Sequence, residues 1–212
     1  MANAEGVIRF RLDYTPGPAL ETVLLTDLLA WRRILYLLGL IGQAPDRYDG
    51  YGFGNISRRH PEAGGGFIVS GSQTGHIADP DGRHWAVVSD WDIAGNRAAA
   101  HGPTPPSSES LAHAALYDGR PSVGAVIHVH APPIWRYGLD AGLPATPPEA
   151  AHGTVAMAEA AADLLRRTQS GDRGVFIMEG HEDGVIAFGG DLAAAGLSLV
   201  EILAVALGES GL

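Results

Sequence analysis

The sequence predicts an α/β protein in which helices cover the faces of a mixed, largely antiparallel sheet. Three observations carry this. Short apolar segments of strand length are mixed with longer amphipathic ones of helical period, without the strict strand–helix–strand rhythm of a parallel sheet. The 212 residues are 46% hydrophobic and 18% charged, the composition of a folded domain rather than of a disordered chain. No internal repeat and no linker interrupts the chain, so residues 1–212 read as one domain.

The elements follow in order. In residues 7–13, Ile8, Phe10 and Leu12 alternate with Arg9, Arg11 and Asp13, as in a half-exposed strand. Residues 18–40 read as a core-packing helix. Leu20, Val23, Leu24, Leu28, Trp31, Leu35 and Leu38 form its apolar stripe, and Arg32 and Arg33 break any membrane reading. Residues 42–54 form a loop rich in Gly, Pro, Asp and Tyr, and the segment through Ser57 extends it as a flexible loop. Residues 66–70 and 85–88 are short apolar strands flanking a turn-rich stretch. Pro105 and Pro106 open a helix over residues 107–117, because proline is tolerated at a helix start. Residues 123–129 are a β-branched strand. Thr154 caps a helix that ends near Arg166, with arginines in its last turn as the helix dipole favours. Residues 175–178 and 185–188 are two more strands. Asp191 caps a final helix that is apolar on most sides from Leu197 to Leu207, so it is buried in the core or against another subunit.

Charge and composition narrow the function. A net charge of −10 leaves no broad basic face for phosphate backbones, which argues against nucleic-acid binding. A local anion site built from backbone N–H groups stays open. With no cysteine, disulfides and thiolate metal sites are excluded, and any transition-metal site must use His, Asp or Glu. Residues 1–6 lack the layout of a signal peptide, and the longest apolar run, residues 34–41, is too short to span a bilayer. The expectation is a soluble, cytoplasmic protein with no membrane partner.

The sharpest motif is His128-Val129-His130. Strand side chains alternate with period two, so both imidazoles point to one face and can share one metal ion. Ordinary polar contact at a strand end is the alternative, although burying two polar rings in so apolar a strand needs a reason. His181 sits in the tight turn Glu179-Gly180-His181-Glu182-Asp183-Gly184, as a third ligand or as a surface residue. Three His ligands with an open position would make a catalytic site. In Pro106-Ser107-Ser108-Glu109 the serines lie at a helix N-terminus, an anion site or a simple cap. His113 follows Glu109 by one helical turn. Asn55 and Ser70-Gly71 could join Ser107 and Ser108 around one anion.

In order, Gly54-Asn55-Ile56-Ser57, Ser70-Gly71, Pro106-Ser107-Ser108-Glu109 with His113, His128-Val129-His130, Gly153-Thr154 and His181 resemble the motif set of the class II aldolase/adducin family, and they cover roughly residues 20–207. The resemblance implies a three-layer α/β/α sandwich and a four-fold homotetramer with active sites between subunits. It implies a divalent metal, zinc most often, with manganese, cobalt or iron as other occupants, held by His128, His130 and His181. Glu109 would lie beside the metal as the acid/base. Asn55, Ser70, Gly71, Ser107 and Ser108 would line a phosphate site, and His113 would stand behind the ligands. The implied reaction is that of a metal-dependent lyase on a small hydroxy-keto or sugar-phosphate substrate, making or breaking a C–C bond beside a carbonyl through a stabilised enediolate. Relatives also include epimerases, dehydratases, decarboxylases and iron-dependent oxygenases, and adducin itself is a non-catalytic binding protein.

Three departures set this sequence apart from the sugar-phosphate aldolases. A tyrosine-bearing tail after the last helix has no counterpart in these 212 residues. Residues 143–153 carry Glu149 and His152 where some members place a tyrosine. His181 is followed by Glu182-Asp183-Gly184 rather than by apolar residues. His152, a group that titrates near neutral pH, is therefore expected to act in catalysis, with Glu149 helping to shape substrate choice; a surface loop with incidental polar residues is the alternative.

Overall fold

The computed structural model describes residues 7–62, 64, 66–167 and 171–209. The elements run β1 (Arg11–Pro16), α1 (Thr26–Leu37), β2 (Gly42–Gln43), β3 (Gly52–Phe53), β4 (Asn55–Arg59), β5 (Phe67–Ser70), β6 (Trp85–Asp92), β7 (Arg97–Gly102), α2 (Ser110–Gly119), β8 (Ala125–His130), α3 (Pro132–Asp140), β9 (Ala145–Thr146), α4 (Val155–Arg167), β10 (Gly174–Met178), β11 (Gly184–Gly189) and α5 (Leu192–Glu209). Nine strands form one sheet in the order β1-β7-β6-β5-β4-β8-β11-β10-β9. Only the outer pairs, β1 with β7 and β9 with β10, are parallel. The pairs between them are antiparallel. The mixed, largely antiparallel sheet expected from the sequence is the one observed.

Two apolar layers sandwich this sheet. Leu111, Leu116, Met157 and Leu165 from α2 and α4 pack with Phe67, Val69 and Val126 on one face. Leu28 and Leu35 of α1, Ile134 of α3 and Leu199 of α5 pack with Ile68, Ile127 and Val129 on the other. β8 lies at the middle of the sheet, so both of its faces are buried. Its odd positions face α1, α3 and α5, while Val126 faces α2 and α4. The pleat then carries His128 and His130 to the α2 side.

Several boundaries differ from the sequence reading, each for a tertiary reason. The helix expected over residues 18–40 is shorter. Gly17 donates to the Gly102 carbonyl at 2.9 Å and Leu20 to the Gly82 carbonyl at 3.0 Å, so the chain there is drawn onto its neighbours before a single turn at Thr22–Leu24 leads into α1. Val23 is consequently 76% exposed rather than part of the core stripe. Arg32, which with Arg33 breaks any membrane reading of the sequence, is buried. The segment around Asn55–Ser57, read as a flexible loop, is the central strand β4, paired on both sides. Its Asn, Ser and Arg residues hide the strand period, because strand character here comes from two neighbours rather than from intrinsic preference. The Ala-rich β7 is hidden for the same reason. α3, begun by two prolines at its first turn, has no counterpart in the sequence reading.

The caps behave as expected. Met157 N–H donates to Thr154 Oγ1 at 3.3 Å, and Ala194 N–H to Asp191 Oδ1 at 2.7 Å. α5 is long and apolar enough to cross a membrane, with mean hydropathy 1.8. Its inner face nevertheless packs on the sheet through Leu192, Ala195 and Leu199.

Candidate active site

The site forms where β8, the turn before β11 and the entrance to α2 meet. Register places the first two histidines. His128 pairs with Asn55 of β4 on one side and Ile186 of β11 on the other, while His130 pairs with Gly184. Because Gly184 begins β11, the turn before it delivers His181 to the end of β8. That turn is closed by His181 N–H to the Met178 carbonyl at 3.0 Å and Gly184 N–H to the His181 carbonyl at 2.8 Å, with Asp183 at φ +61°.

His128, His130 and His181 are all buried, at 0%, 1% and 4% exposure. Each offers a ring nitrogen within 4.8 Å of the others. The ring centroids are 4.6–5.0 Å apart. His128 Nδ1 lies 3.2 Å from the Val185 carbonyl. A carbonyl can only accept, so this bond puts the proton on Nδ1 and leaves Nε2 as the lone-pair donor. Three buried imidazoles on one spot are a poor arrangement for protonated rings and a good donor set for a borderline divalent ion. The residues therefore fit the metal that the sequence implies.

Glu109 immediately precedes α2, yet its side chain makes no capping hydrogen bond. It is 2% exposed and faces the histidines instead. Its carboxylate groups with His152 and His181, one donor atom from each within 4.8 Å of the others. His152 Nδ1 lies 3.4 Å from Glu109 Oε1, and its ring stacks on His181 with centroids 4.4 Å apart and planes at 21°. Burial raises the Glu109 pKa, but the His152 contact and the electrostatic pull of the neighbouring His181, His128 and His152 imidazoles outweigh it and hold the group down to about 2. Arg9 donates to the His152 carbonyl at 3.3 Å and ties this segment to the N-terminal strand region. His152 is thus inside the site, not on a surface loop. Glu149, by contrast, is exposed and lines a separate surface groove against α4, apart from the histidines.

Beside the histidine cluster lies a second cleft lined by Gly52, Gly54, Asn55, Gly71, Gly75, Ser107 and Ser108, with Ser72, Gln73 and Thr74 between them. Four of the five residues expected at a phosphate site therefore share one cleft. Ser70 is buried behind it, where its hydroxyl accepts from Ile56 N–H at 3.2 Å and its carbonyl from Ser107 N–H at 3.1 Å. The Gly71 N–H is already given to the His84 carbonyl at 2.8 Å. Gly71 is needed here for its lack of a side chain, since a Cβ would lie 2.3 Å from Thr104 Cγ2. His113 stands behind the site as expected, its Nδ1 2.6 Å from Ser57 Oγ, which is 2.7 Å from the Tyr117 hydroxyl.

Sequence reasoning missed Tyr48. Its ring meets His130 edge-on with centroids 4.4 Å apart, and its hydroxyl donates to Asp183 Oδ2 at 2.7 Å while accepting from Arg47 Nη2 at 2.7 Å. Burial and the Asp183 bond push its pKa up. Tyr48 and Asp49 hold φ of +50° and +55°, a backbone strain that a non-glycine residue adopts only when its surroundings impose it. With His152, His181 and Asp183 they line a cleft of about 650 Å³ that opens onto the cluster. A tyrosine in a turn-rich loop gives no local sign of this placement.

Residues 44–206 match the family model of the class II aldolase and adducin N-terminal domain. The fold is similar to that of L-fuculose-1-phosphate aldolase from Thermus thermophilus, with TM-score 0.64 and 20% identity over 88% of this chain and 92% of that one. A sugar-phosphate aldolase from Thermotoga maritima gives TM-score 0.63 and 14% identity over 87% and 92% of the two chains. At such identities the likeness is one of fold. A methylthioribulose-1-phosphate dehydratase from Gluconacetobacter diazotrophicus is 35% identical over 89 residues, which span 40% of this chain and 40% of that protein.

Proposed function

The chain belongs to the class II aldolase/adducin family, and from that premise we propose that it is a metal-dependent lyase acting on a small phosphorylated hydroxy-keto compound. The observation that carries this reading is the buried Glu109 carboxylate set beside three converging histidines, with an uncharged, hydroxyl- and amide-lined cleft next to it. His128, His130 and His181 would hold a divalent ion, which would supply Lewis-acid polarisation of the substrate carbonyl and its neighbouring hydroxyl. Asn55, Ser107 and Ser108 would orient the phosphate end. Glu109 would take the proton released at the reacting carbon or hydroxyl, and His152, 3.4 Å from it, would return a proton to the departing group. Tyr48 and Asp183 would bound the far end of the substrate. The reading includes a cytoplasmic homotetramer.

C–C cleavage is the primary assignment. Dehydration of a phosphorylated ketose is a second one, favoured by the 35% identity to a dehydratase of such a substrate. Cleavage removes the β-hydroxyl proton and breaks the bond between the α and β carbons, whereas dehydration removes the α-carbon proton and expels the β-hydroxyl as water. Mass spectrometry after incubation with a panel of ketose phosphates separates them: cleavage gives two fragments, dehydration one product lighter by a water. Elemental analysis of the purified protein is expected to give one divalent ion per chain, lost in folded His128→Ala. Glu109→Gln should keep the ion and lose on the order of 10²–10⁴-fold in rate. Full metal retention by His128→Ala would sink the metal assignment, and wild-type turnover by Glu109→Gln the acid/base one.

A further inference from the structure

Arg32 lies in the middle of α1 and is only 1% exposed. Its Nη2 donates to the Thr74 carbonyl at 3.0 Å and to the Gly75 carbonyl at 3.2 Å. Its Nη1 is buried with no hydrogen-bond partner among the described residues. The neighbouring Arg33 takes Asp79 at 3.1 Å, whereas no carboxylate pairs with Arg32 among the described residues. The Tyr36 ring, 5.5 Å from the guanidinium carbon, is a weak substitute for one. Burial pushes the Arg32 pKa down to about 10, which still leaves it charged at neutral pH. A buried guanidinium without a counter-ion is costly, and nothing in the proposed chemistry so far uses it.

The two carbonyls it holds belong to the wall of the second cleft. Among the residues lining that cleft there is no lysine or arginine, only amide, hydroxyl and backbone groups. Asn55, 6% exposed, has its Oδ1 without a partner among the described residues. In a planar peptide the carbonyl and the following N–H point in opposite directions. Arg32 therefore turns the Gly75 N–H away from itself, and that nitrogen comes within 3.2 Å of where a Cβ on Gly52, another wall residue, would sit. The charge and the oriented peptides act in the same sense: both make the cleft attractive to an anion.

We propose that Arg32 is the cation of this cleft, a positioning residue that acts through the Thr74 and Gly75 peptides to hold a phosphate group it does not touch. The inference rests on the proposed phosphorylated substrate. It explains how a cleft without a basic side chain could retain a dianion, since a charge buried in protein is screened far less than one in water.

The test is titration of inorganic phosphate into the metal-loaded protein, followed by calorimetry. Wild type is expected to bind, and Asn55→Asp, which puts a carboxylate in the cleft, to abolish binding. Arg32→Gln keeps hydrogen-bonding capacity without the charge and should bind on the order of tenfold more weakly. Arg32→Lys keeps the charge and should stay within about threefold of wild type. Thermal unfolding without phosphate checks that each variant is folded, and Arg32→Met replaces Arg32→Gln if the latter is not. A folded charge-free variant that binds phosphate like wild type overturns the role of Arg32, and so does a lysine variant as weak as the neutral one. If wild type binds no phosphate, or Asn55→Asp binds it normally, the cleft is not the anion site and the substrate reading falls with the inference.

Discussion

His113 is fully buried, with its imidazole against Ser57 and Tyr117 rather than against water. Burial pushes its pKa down to about 4, against the opposite pull of Glu109. In the unfolded chain the value is about 6.5. Because the folded value is the lower one, the unfolded chain binds the proton first as pH falls. The contribution to stability is therefore full above about pH 6.5 and shrinks until about pH 4, by roughly 3 kcal/mol. Urea unfolding at pH 7 and pH 4.5 should show wild type losing more stability than His113→Gln. An equal loss in both would mean that His113 is not held neutral by the fold.

At the scale of elements, the second cleft depends on close backbone approach between the β2–β3 hairpin and the loop after β5. A Cβ on Gly75 would stand 2.3 Å from the Gly42 carbonyl oxygen and 2.8 Å from Gly52 Cα. Both are main-chain atoms, so no rotamer change relieves the clash. Gly75→Ala is expected to lose about 1–3 kcal/mol, as overpacked sites do, and to lose phosphate binding with it. A melting temperature equal to wild type would show that the loop is free to move. Gly54 is constrained in another way: φ is +75°, and an added Cβ would meet Ile41 and the Leu40 carbonyl within 3.0 Å. It turns the chain from β3 into β4 and so aims Asn55 into the cleft.

On the whole molecule, the outer face of α5 is the conspicuous apolar surface. Leu197 and Val205 are 47% and 46% exposed, and Leu37 at the end of α1 is 69% exposed. Leaving this much aliphatic surface in water is unfavourable, and its burial between subunits would recover about 25 cal/mol for each Å² covered. Light scattering at micromolar concentration should therefore give a homotetramer, and Val205→Asp should shift it toward smaller species. A stable wild-type monomer would contradict the assembly.

The sequence by itself determined what is written in short periods. The alternation of Val126-Ile127-His128-Val129-His130 put two imidazoles on one face of a strand, and the turn residues around His181 made that segment tight. The caps Thr154 and Asp191, and the largely antiparallel character of the sheet, were legible in the same way. The motif order connected Asn55, Ser107, Ser108, Glu109 and the three histidines before any distance was known. Only the tertiary structure decided that Asn55 sits on a central strand opposite His128, that His152 stacks on His181 while Glu149 faces away, that Tyr48 meets His130, and that Arg32 is buried against the Thr74 carbonyl. Those placements come from pairing between segments distant in the chain. Such pairing is selected by the total apolar area the sheet and its helices can bury together, and no local period records it.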